Sequence, residues 1–157
     1  MKLTETDWTL LWRQLAILVR NHLPNSASID LSSKQAQIMQ VFTSAFYQPL
    51  AWRFETKWIA WVEEYFGALR LDNGGDVTLS DAHEIATKMN SASPKYIPRE
   101  WMLQEAYLAA EKGDYNALDK MKKLFETPFD EHPELEETYY RKAPEWSEAQ
   151  GGIGFMS

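Results

Sequence analysis

Large apolar side chains recur every three or four positions between Ala51 and Leu71, and this spacing constrains the fold more than any other feature. A period of that length is helical, because residues three or four apart lie on one face of an α-helix. The face is wide, which suits a helix packed between other helices. Its members are Phe54, Trp58, Trp61, Val62, Tyr65 and Leu69.

Two further helices are predicted before this stretch. The first begins near Thr4 or Thr6, either of which can cap it, and runs to about His22. Its apolar face consists of Trp8, Leu11, Trp12, Leu15, Leu18 and Val19. Residues 24–33 are rich in Ser and Asn and are typical of a linker. A second helix follows, and it must end before Pro49.

The second half of the chain predicts three more helices. Residues 72–76, DNGGD, form a turn, after which Ser80 can cap a short helix to about Met89. Pro98 suits a helix start, where its missing N–H leaves no donor without a partner. Gly113 and Asp114 end that helix and cap the next, which predicts an αα-hairpin.

The predicted fold class is all-α, with about six helices in an irregular helical domain, since no segment alternates like a strand. Beyond Pro128 the chain is acidic, interrupted by prolines and rich in aromatic residues. We expect an extended acidic C-terminal strap there. Residues 1–150 are predicted to be one helical region, and residues 151–157 a flexible glycine-rich tail.

Composition argues against several functions. The net charge is −7, with −2 in residues 1–90 and −5 in residues 91–157. An acidic surface repels phosphate backbones, so we expect no nucleic-acid partner. There is no cysteine for thiolate catalysis or for Cys-ligated zinc. No apolar run approaches the roughly 20 residues that span a bilayer, so we expect no membrane partner.

Two candidate metal sites match their sequence patterns poorly. Asp72, Asp76 and Ser80 fall at positions one, five and nine of a calcium loop. However, Val77 replaces the glycine of position six and His83 the glutamate of position twelve. The three histidines, His22, His83 and His132, are far apart and form no helical pair. We therefore expect no metal site and no bound cofactor in this chain.

Other candidate sites have simpler interpretations. The Trp8/Trp12 and Trp58/Trp61 pairs could stack on ligands, but their helical spacing favours core packing. The segment Gly151-Gly152-Ile153-Gly154 has no strand before it and no helix after it, which argues against a phosphate cradle. An acidic docking strip remains an alternative to a solvated charge run for Glu134, Glu136, Glu137, Tyr139 and Tyr140.

No protein-kinase motif occurs in the sequence: there is no glycine loop, VAIK, HRD or DFG. The predicted hairpin AAEKGDYNALDKMKKL resembles a single ankyrin or tetratricopeptide unit. Such arrays need at least about three stacked units, and no second copy appears. A generic helical hairpin is therefore the preferred interpretation.

The order and spacing of several segments resemble the C-terminal region of the selenoprotein O family of protein adenylyltransferases. These segments are TDWTLLWRQLA, AFYQPL, WIAWVEEY, KMNSASPKYIPREWMLQEAYLAAEKGDY, PFDEHPELEE and YYRKAPEW. The family-signature residues, to which we assign a structural role, are Pro94, Lys95, Tyr96, Arg99, Glu100 and Trp101.

The resemblance implies an atypical, kinase-like enzyme that transfers AMP from ATP to Ser, Thr or Tyr hydroxyls of protein substrates. It implies ATP and magnesium or manganese as cofactors of the full-length enzyme, and a mitochondrial location. The family's catalytic residues lie upstream of the matched segments, so none is assigned here. The partner implied for this chain is the rest of the kinase-like protein.

Two departures from the family pattern are present. Ser93 stands where the family usually has Asn, and the chain ends in GGIGFMS where the family continues to a Cys or selenocysteine. We expect a C-terminal fragment or an incomplete gene model, ended at a selenocysteine codon read as a stop. The alternative is a standalone helical module that binds a partner protein.

Within the signature, Lys95 and Arg99 lie four residues apart on either side of Pro98. A contact to a ligand or to an acidic segment is one interpretation, and solvation or an internal salt bridge is the preferred one. Tyr96 and Trp101 are predicted to anchor the hairpin.

Overall fold

The computed structural model of the chain describes residues 5–25, 31–48 and 52–149. These residues form α-helices and short 3₁₀ turns with no strand, which confirms the all-α prediction. None of the helices described is both long and apolar enough to span a bilayer. The α-helices are α1 (Trp8–His22), α2 (Gln35–Phe42), α3 (Trp52–Asp72), α4 (Leu79–Ala92), α5 (Glu100–Ala110), α6 (Asn116–Glu126), α7 (Pro133–Tyr139) and α8 (Glu145–Ala149).

The described residues divide into two compact units, and the boundary lies between Ser93 and Pro94. The first unit contains α1 to α4 and the second contains α5 to α8. This boundary falls inside the region 1–150 that the sequence assigns to a single helical segment. The predicted tail, residues 151–157, lies outside the described residues.

Helix α1 is the most deeply buried element of the first unit. It packs against α4 and α2, and it buries apolar side chains on most of its circumference, as expected for a central helix. Arg13 also lies inside, 5% exposed, and its Nη1 donates to the Asn90 backbone carbonyl of α4 at 3.2 Å. The apolar side chains of α1 that are at most 1% exposed are Leu10, Leu11, Leu15, Ala16, Leu18 and Val19.

The apolar face of α3 is narrower than its sequence predicts. Trp58 and Val62 are buried as predicted, together with Ile59 and Phe66. The other predicted members are only half-buried. The reason is that α3 packs mainly against α2 and against the 3₁₀ turn Leu31–Lys34 that precedes α2. One side of α3 therefore borders solvent.

Two helix caps differ from the sequence predictions. Asp7 caps α1, because its extended backbone lets Oδ1 accept the Leu10 N–H at 3.0 Å. Thr6 instead pairs with Phe46 in an isolated antiparallel bridge, and Thr4 lies outside the described residues. Thr78, rather than Ser80, caps α4.

The cap of α4 is a reciprocal capping box. The Asp81 N–H donates to Thr78 Oγ1 at 3.2 Å, while the Thr78 N–H donates to Asp81 Oδ2 at 2.9 Å. The bond from the Thr78 N–H, and then the bond that the Thr78 hydroxyl donates to the same Oδ2 at 2.8 Å, lower the pKa of the Asp81 carboxyl. Ser80 lies inside the first turn of the helix, where it cannot serve as the cap.

The second unit begins with the predicted hairpin of α5 and α6. Gly113 turns the chain with a φ of 80°, a left-handed conformation that glycine adopts without strain. Asp114 Oδ1 accepts the N–H of Asn116 at 3.0 Å, although Tyr115 occupies the cap position. The core of this unit contains Tyr96, Trp101, Met102, Ala106, Met121, Leu124, Leu135 and Tyr139.

The acidic strap, residues 128–149, is less extended than predicted. It contains α7, which begins with Pro133 in the first turn, and the short α8. Proline suits the first helical position because its φ is already helical there. Pro133 therefore starts a helix and Pro144 directly precedes one, where the sequence interpretation used the prolines as breaks, while Pro128 lies in a turn.

We predict that Thr78→Ala destabilises the first unit by about 1 kcal/mol, because it removes one half of the capping box. Thr87→Ala is the matched control, since Thr87 is an exposed threonine inside the same helix. That variant should be neutral or slightly stabilising, because alanine is the better helix former. Urea unfolding of the three proteins measures the difference. Equal midpoints for Thr78→Ala and the parent would contradict the assigned cap.

Candidate functional site

The signature segment holds a buried lysine at the start of the second unit. The Lys95 side chain is only 4% exposed, and its Nζ lies 2.7 Å from Glu131 Oε2 and 2.8 Å from Glu136 Oε2. Nζ also donates to the Glu131 backbone carbonyl at 3.2 Å. An ammonium group has three donors, so this arrangement satisfies all of them. The Tyr140 ring lies beneath the same charge, 4.9 Å from Nζ to the ring centroid.

Tyr96 joins the same segment to the strap through its backbone and its hydroxyl. The backbone N–H groups of Lys95 and Tyr96 both donate to the Pro128 carbonyl, at 2.8 and 3.1 Å. The Tyr96 hydroxyl donates to the Glu131 carbonyl at 2.7 Å, and its ring packs edge-on against His132. His132 has a φ of 42°, so a non-glycine residue occupies a left-handed conformation at this junction.

The other signature residues surround this contact. Trp101 is fully buried, and the Arg141 guanidinium lies 4.7 Å from its ring centroid. Arg99 is 3% exposed. Pro94 and Glu100 are half-buried. Solvation of Lys95 and Arg99, one part of the sequence interpretation, is therefore wrong. Lys95 forms an internal salt bridge to the acidic segment.

The acidic strap is not a free docking strip. Glu136 binds Lys95, Glu134 binds Lys123 of α6, and Tyr139 is buried. The hydrogen bond from Lys123 is the main cause that lowers the pKa of Glu134. Burial raises the pKa of Tyr139, and the negative charge of Glu105 adds to the effect. Glu137 points its charge to solvent.

The chemistry available to this site is structural. The Lys95 ammonium group directs its three donors at two carboxylates and a carbonyl, so these contacts are all made within the protein. Among the described residues, no three His, Asp or Glu side chains come together in a way that could hold a metal ion. The signature segment therefore serves as a clamp between the start of the second unit and the strap.

The remaining candidate residues are dispersed. Asp72, Asp76, Ser80 and His83 are all exposed around the α3–α4 turn. His22 lies in the first unit, where burial, and then the charge of Lys34, lower its pKa. A neighbouring lysine charge also disfavours a cation at that ring. Gly151, Gly152 and Gly154 lie outside the described residues.

The two tryptophan pairs have different environments. Trp58 is buried against Phe42 and Phe46, in agreement with core packing. Trp8 is 54% exposed, and its ring meets only the edge of Trp12 in a T-shaped contact at 5.1 Å among the aromatic contacts described. The prediction that Trp8 is a core residue is therefore wrong. Its position next to the cap of α1 leaves it outside the buried stripe.

The sequence interpretation missed Glu131, which supplies both a carboxylate and a carbonyl to the clamp. A signal was present, because the segment DEHPELEE places acidic residues around a proline. Nothing in that pattern identifies which carboxylate meets the lysine 36 residues earlier. Glu131 reaches Lys95 because the chain returns to the signature segment, where the Pro128 carbonyl also accepts the Lys95 N–H.

Over its full length, the chain is similar to part of several proteins named protein nucleotidyltransferase YdiU. It is 33% identical to the protein of Azoarcus sp. (strain BH72), over 100% of this chain and 26% of the relative. It is 28% identical to the Flavobacterium johnsoniae protein, over 100% of this chain and 27% of the relative. The Azotobacter vinelandii protein is 34% identical over 87 residues, which are 55% of this chain and 17% of the relative.

The chain thus spans about a quarter of the length of the Azoarcus and Flavobacterium relatives. No family model matches the sequence, and no solved structure was found to be similar to it.

We predict that Trp101→Ala and Tyr96→Ala each destabilise the second unit by on the order of 3 kcal/mol, because each removes a large buried ring. Tyr107→Ala is the control, since Tyr107 lies on α5 with 54% exposure. The loss of stability in Tyr96→Phe should lie between that of Tyr96→Ala and that of the Tyr107→Ala control. This variant keeps the ring and leaves the Glu131 carbonyl without the hydroxyl donor. Urea unfolding measures all four variants. Unchanged midpoints for the two buried positions would refute the anchor role.

Proposed function

We propose that this chain is the C-terminal region of a selenoprotein O-like protein adenylyltransferase, which transfers AMP from ATP to Ser, Thr or Tyr hydroxyls of proteins. The observation that carries the proposal is the similarity of the entire chain to about a quarter of relatives named nucleotidyltransferases. The ordered signature segments, which resemble the C-terminal region of this family, support the position within the longer protein.

Within such an enzyme, the role of this region is structural or regulatory, without the nucleotide site. The buried, fully paired Lys95 and the dispersed acidic residues of the α3–α4 turn support this role. Catalysis of phosphoryl-type transfer depends on positioning the triphosphate with basic residues and metal ions. ATP and magnesium or manganese would then be bound by residues outside this chain.

The partner of the region in this proposal is the rest of the kinase-like protein, and the protein substrates bind to the complete enzyme. Mitochondrial location belongs to the same proposal and has the family resemblance as its support. The substrates themselves have no signature in this part of the chain.

A standalone helical interaction module is the second candidate. The observation that favours it is a set of large apolar side chains with substantial exposure. Such side chains can anchor a partner protein. Among the residues whose exposure the structure describes, the most exposed aromatic ones are Trp8 at 54%, Tyr107 at 54% and Tyr115 at 59%.

The two candidates predict different polypeptides in the cell. An antibody raised to SPKYIPREWMLQEAY captures the endogenous protein, and mass spectrometry gives its intact mass. A C-terminal region of an adenylyltransferase predicts a mass several-fold larger than 18.2 kDa. A mass of 18.2 kDa would contradict this proposal and favour the interaction module.

The same captured protein tests the reaction. Incubated with ATP labelled in the α-phosphate, it should transfer labelled AMP to protein in the presence of magnesium or manganese. ATP labelled in the γ-phosphate is the matched control and should transfer no label. Transfer of the γ-label alone would show a kinase and overturn the assigned reaction. The recombinant 157-residue chain should transfer neither label.

A further inference from the structure

A continuous row of aromatic rings runs along α3 in the first unit. The Phe46 and Trp58 ring centroids are 5.3 Å apart, and Trp58 and Trp61 follow at 5.4 Å. Trp61 and Tyr65 are stacked, with a centroid distance of 5.6 Å and an interplanar angle of 16°. Three oxidisable rings therefore contact one another in sequence.

The row has a buried end and a half-exposed end. Trp58 is 8% exposed and borders two phenylalanines, which are far harder to oxidise than indoles. Trp61 and Tyr65 are half-buried, and the Tyr65 hydroxyl lies 3.8 Å from the sulfur of half-buried Met89. The electron deficiency left by oxidation of one indole can therefore move along the row toward Tyr65. In the other direction, the aromatic contacts described offer no oxidisable ring beyond Trp58.

Indole and phenol rings are the aromatic side chains that lose one electron most readily, and electron transfer between rings in contact is much faster than between separated rings. Near neutral pH a tyrosine phenoxyl radical is more stable than a tryptophan indolyl radical. The electron therefore moves from Tyr65 to oxidised Trp61, or through Trp61 to oxidised Trp58, and the radical ends on Tyr65. The chain has no cysteine that could compete as the final donor.

We propose that Trp58, Trp61 and Tyr65 form an electron relay that repairs one-electron oxidation of the two indoles and places the radical on Tyr65. A one-electron oxidant, such as a small inorganic radical, removes an electron from an indole and is reduced to its anion. The indole radical cation loses its N–H proton to water. Tyr65 then gives an electron to the indolyl radical and its phenol proton to water, and the indole nitrogen regains a proton from water.

The consequence for the protein is that oxidation does not remain in the core of the first unit. An indolyl radical that persists reacts irreversibly, and a modified Trp58 would disrupt the packing against Phe42 and Phe46. A phenoxyl radical at half-exposed Tyr65 can instead be reduced by a solution reductant such as ascorbate. The relay does not depend on the proposed transferase function.

Pulse radiolysis with the azide radical, which oxidises tryptophan selectively, tests the relay in the full 157-residue chain. We expect the indolyl absorption to decay as the phenoxyl absorption rises, with a first-order rate that is independent of protein concentration. Tyr65→Phe keeps the ring and removes the oxidisable hydroxyl, so it should abolish the fast intramolecular phase. Trp61→Phe should also abolish it, because it removes the ring between Trp58 and Tyr65.

Two matched variants serve as controls. Tyr107→Phe removes a more exposed tyrosine of the second unit, and Trp8→Phe removes an exposed tryptophan on α1. Both should keep the fast phase, and circular dichroism should show that all four variants remain helical. A fast phase that survives in folded Tyr65→Phe, or that is lost in Tyr107→Phe, would overturn the relay. Absence of any phenoxyl signal in the parent chain would overturn it as well.

Discussion

The architecture of the second unit depends on the ammonium group of Lys95. A lysine that is 4% exposed is costly to bury unless its charge is paired and its donors are satisfied. The strap meets both requirements by bringing Glu131 and Glu136 to the same nitrogen. The Pro128 carbonyl and the Tyr96 hydroxyl add uncharged contacts between the same two segments. The strap is thus fixed to the start of the unit, because the buried Lys95 charge is stable only when it is paired with the carboxylates of the strap.

The helices were predictable from the sequence because apolar periodicity and turn residues are local signals. The Leu-rich face of α1 and the Gly113 turn needed no tertiary information. Cap identity was less predictable, because several capping residues lie near each start and backbone conformation selects one of them. Asp7, and not Thr6, caps α1, and the backbone of Thr6 pairs with Phe46 instead. Trp8 and Trp12 show a further limit of sequence prediction. Their helical spacing matches the buried face of α1, but spacing alone does not show whether a side chain at the border of that face is buried or exposed.

The clamp was only half predictable. The sequence singles out Lys95 and Tyr96. The geometry agrees with the internal salt bridge of the preferred interpretation, and its partners lie in the acidic segment that the other interpretation named. The partners could not be assigned because they depend on how residues 128–136 return to the signature segment, and that path is a tertiary property. The contacts described for the signature segment are ion pairs, hydrogen bonds and packing within the second unit. The transferase proposal accordingly places the reacting groups elsewhere in a longer protein.

The most direct test of the clamp compares removal of the lysine with removal of its carboxylates, by urea unfolding and by hydrogen exchange of the Lys95 and Tyr96 amides. Glu131 and Glu136 side chains are 67% and 46% exposed, so Lys95→Met leaves carboxylates that water can solvate. The double variant Glu131→Met with Glu136→Met leaves a buried ammonium group without a carboxylate partner, which should lower the free energy of unfolding by roughly 3–5 kcal/mol. Glu137→Met is the surface control.

Adding Lys95→Met to the double variant should recover most of that loss, because no stranded charge remains. A double variant as stable as the Glu137→Met control, or a triple variant that recovers nothing, would contradict the central role of the Lys95 charge.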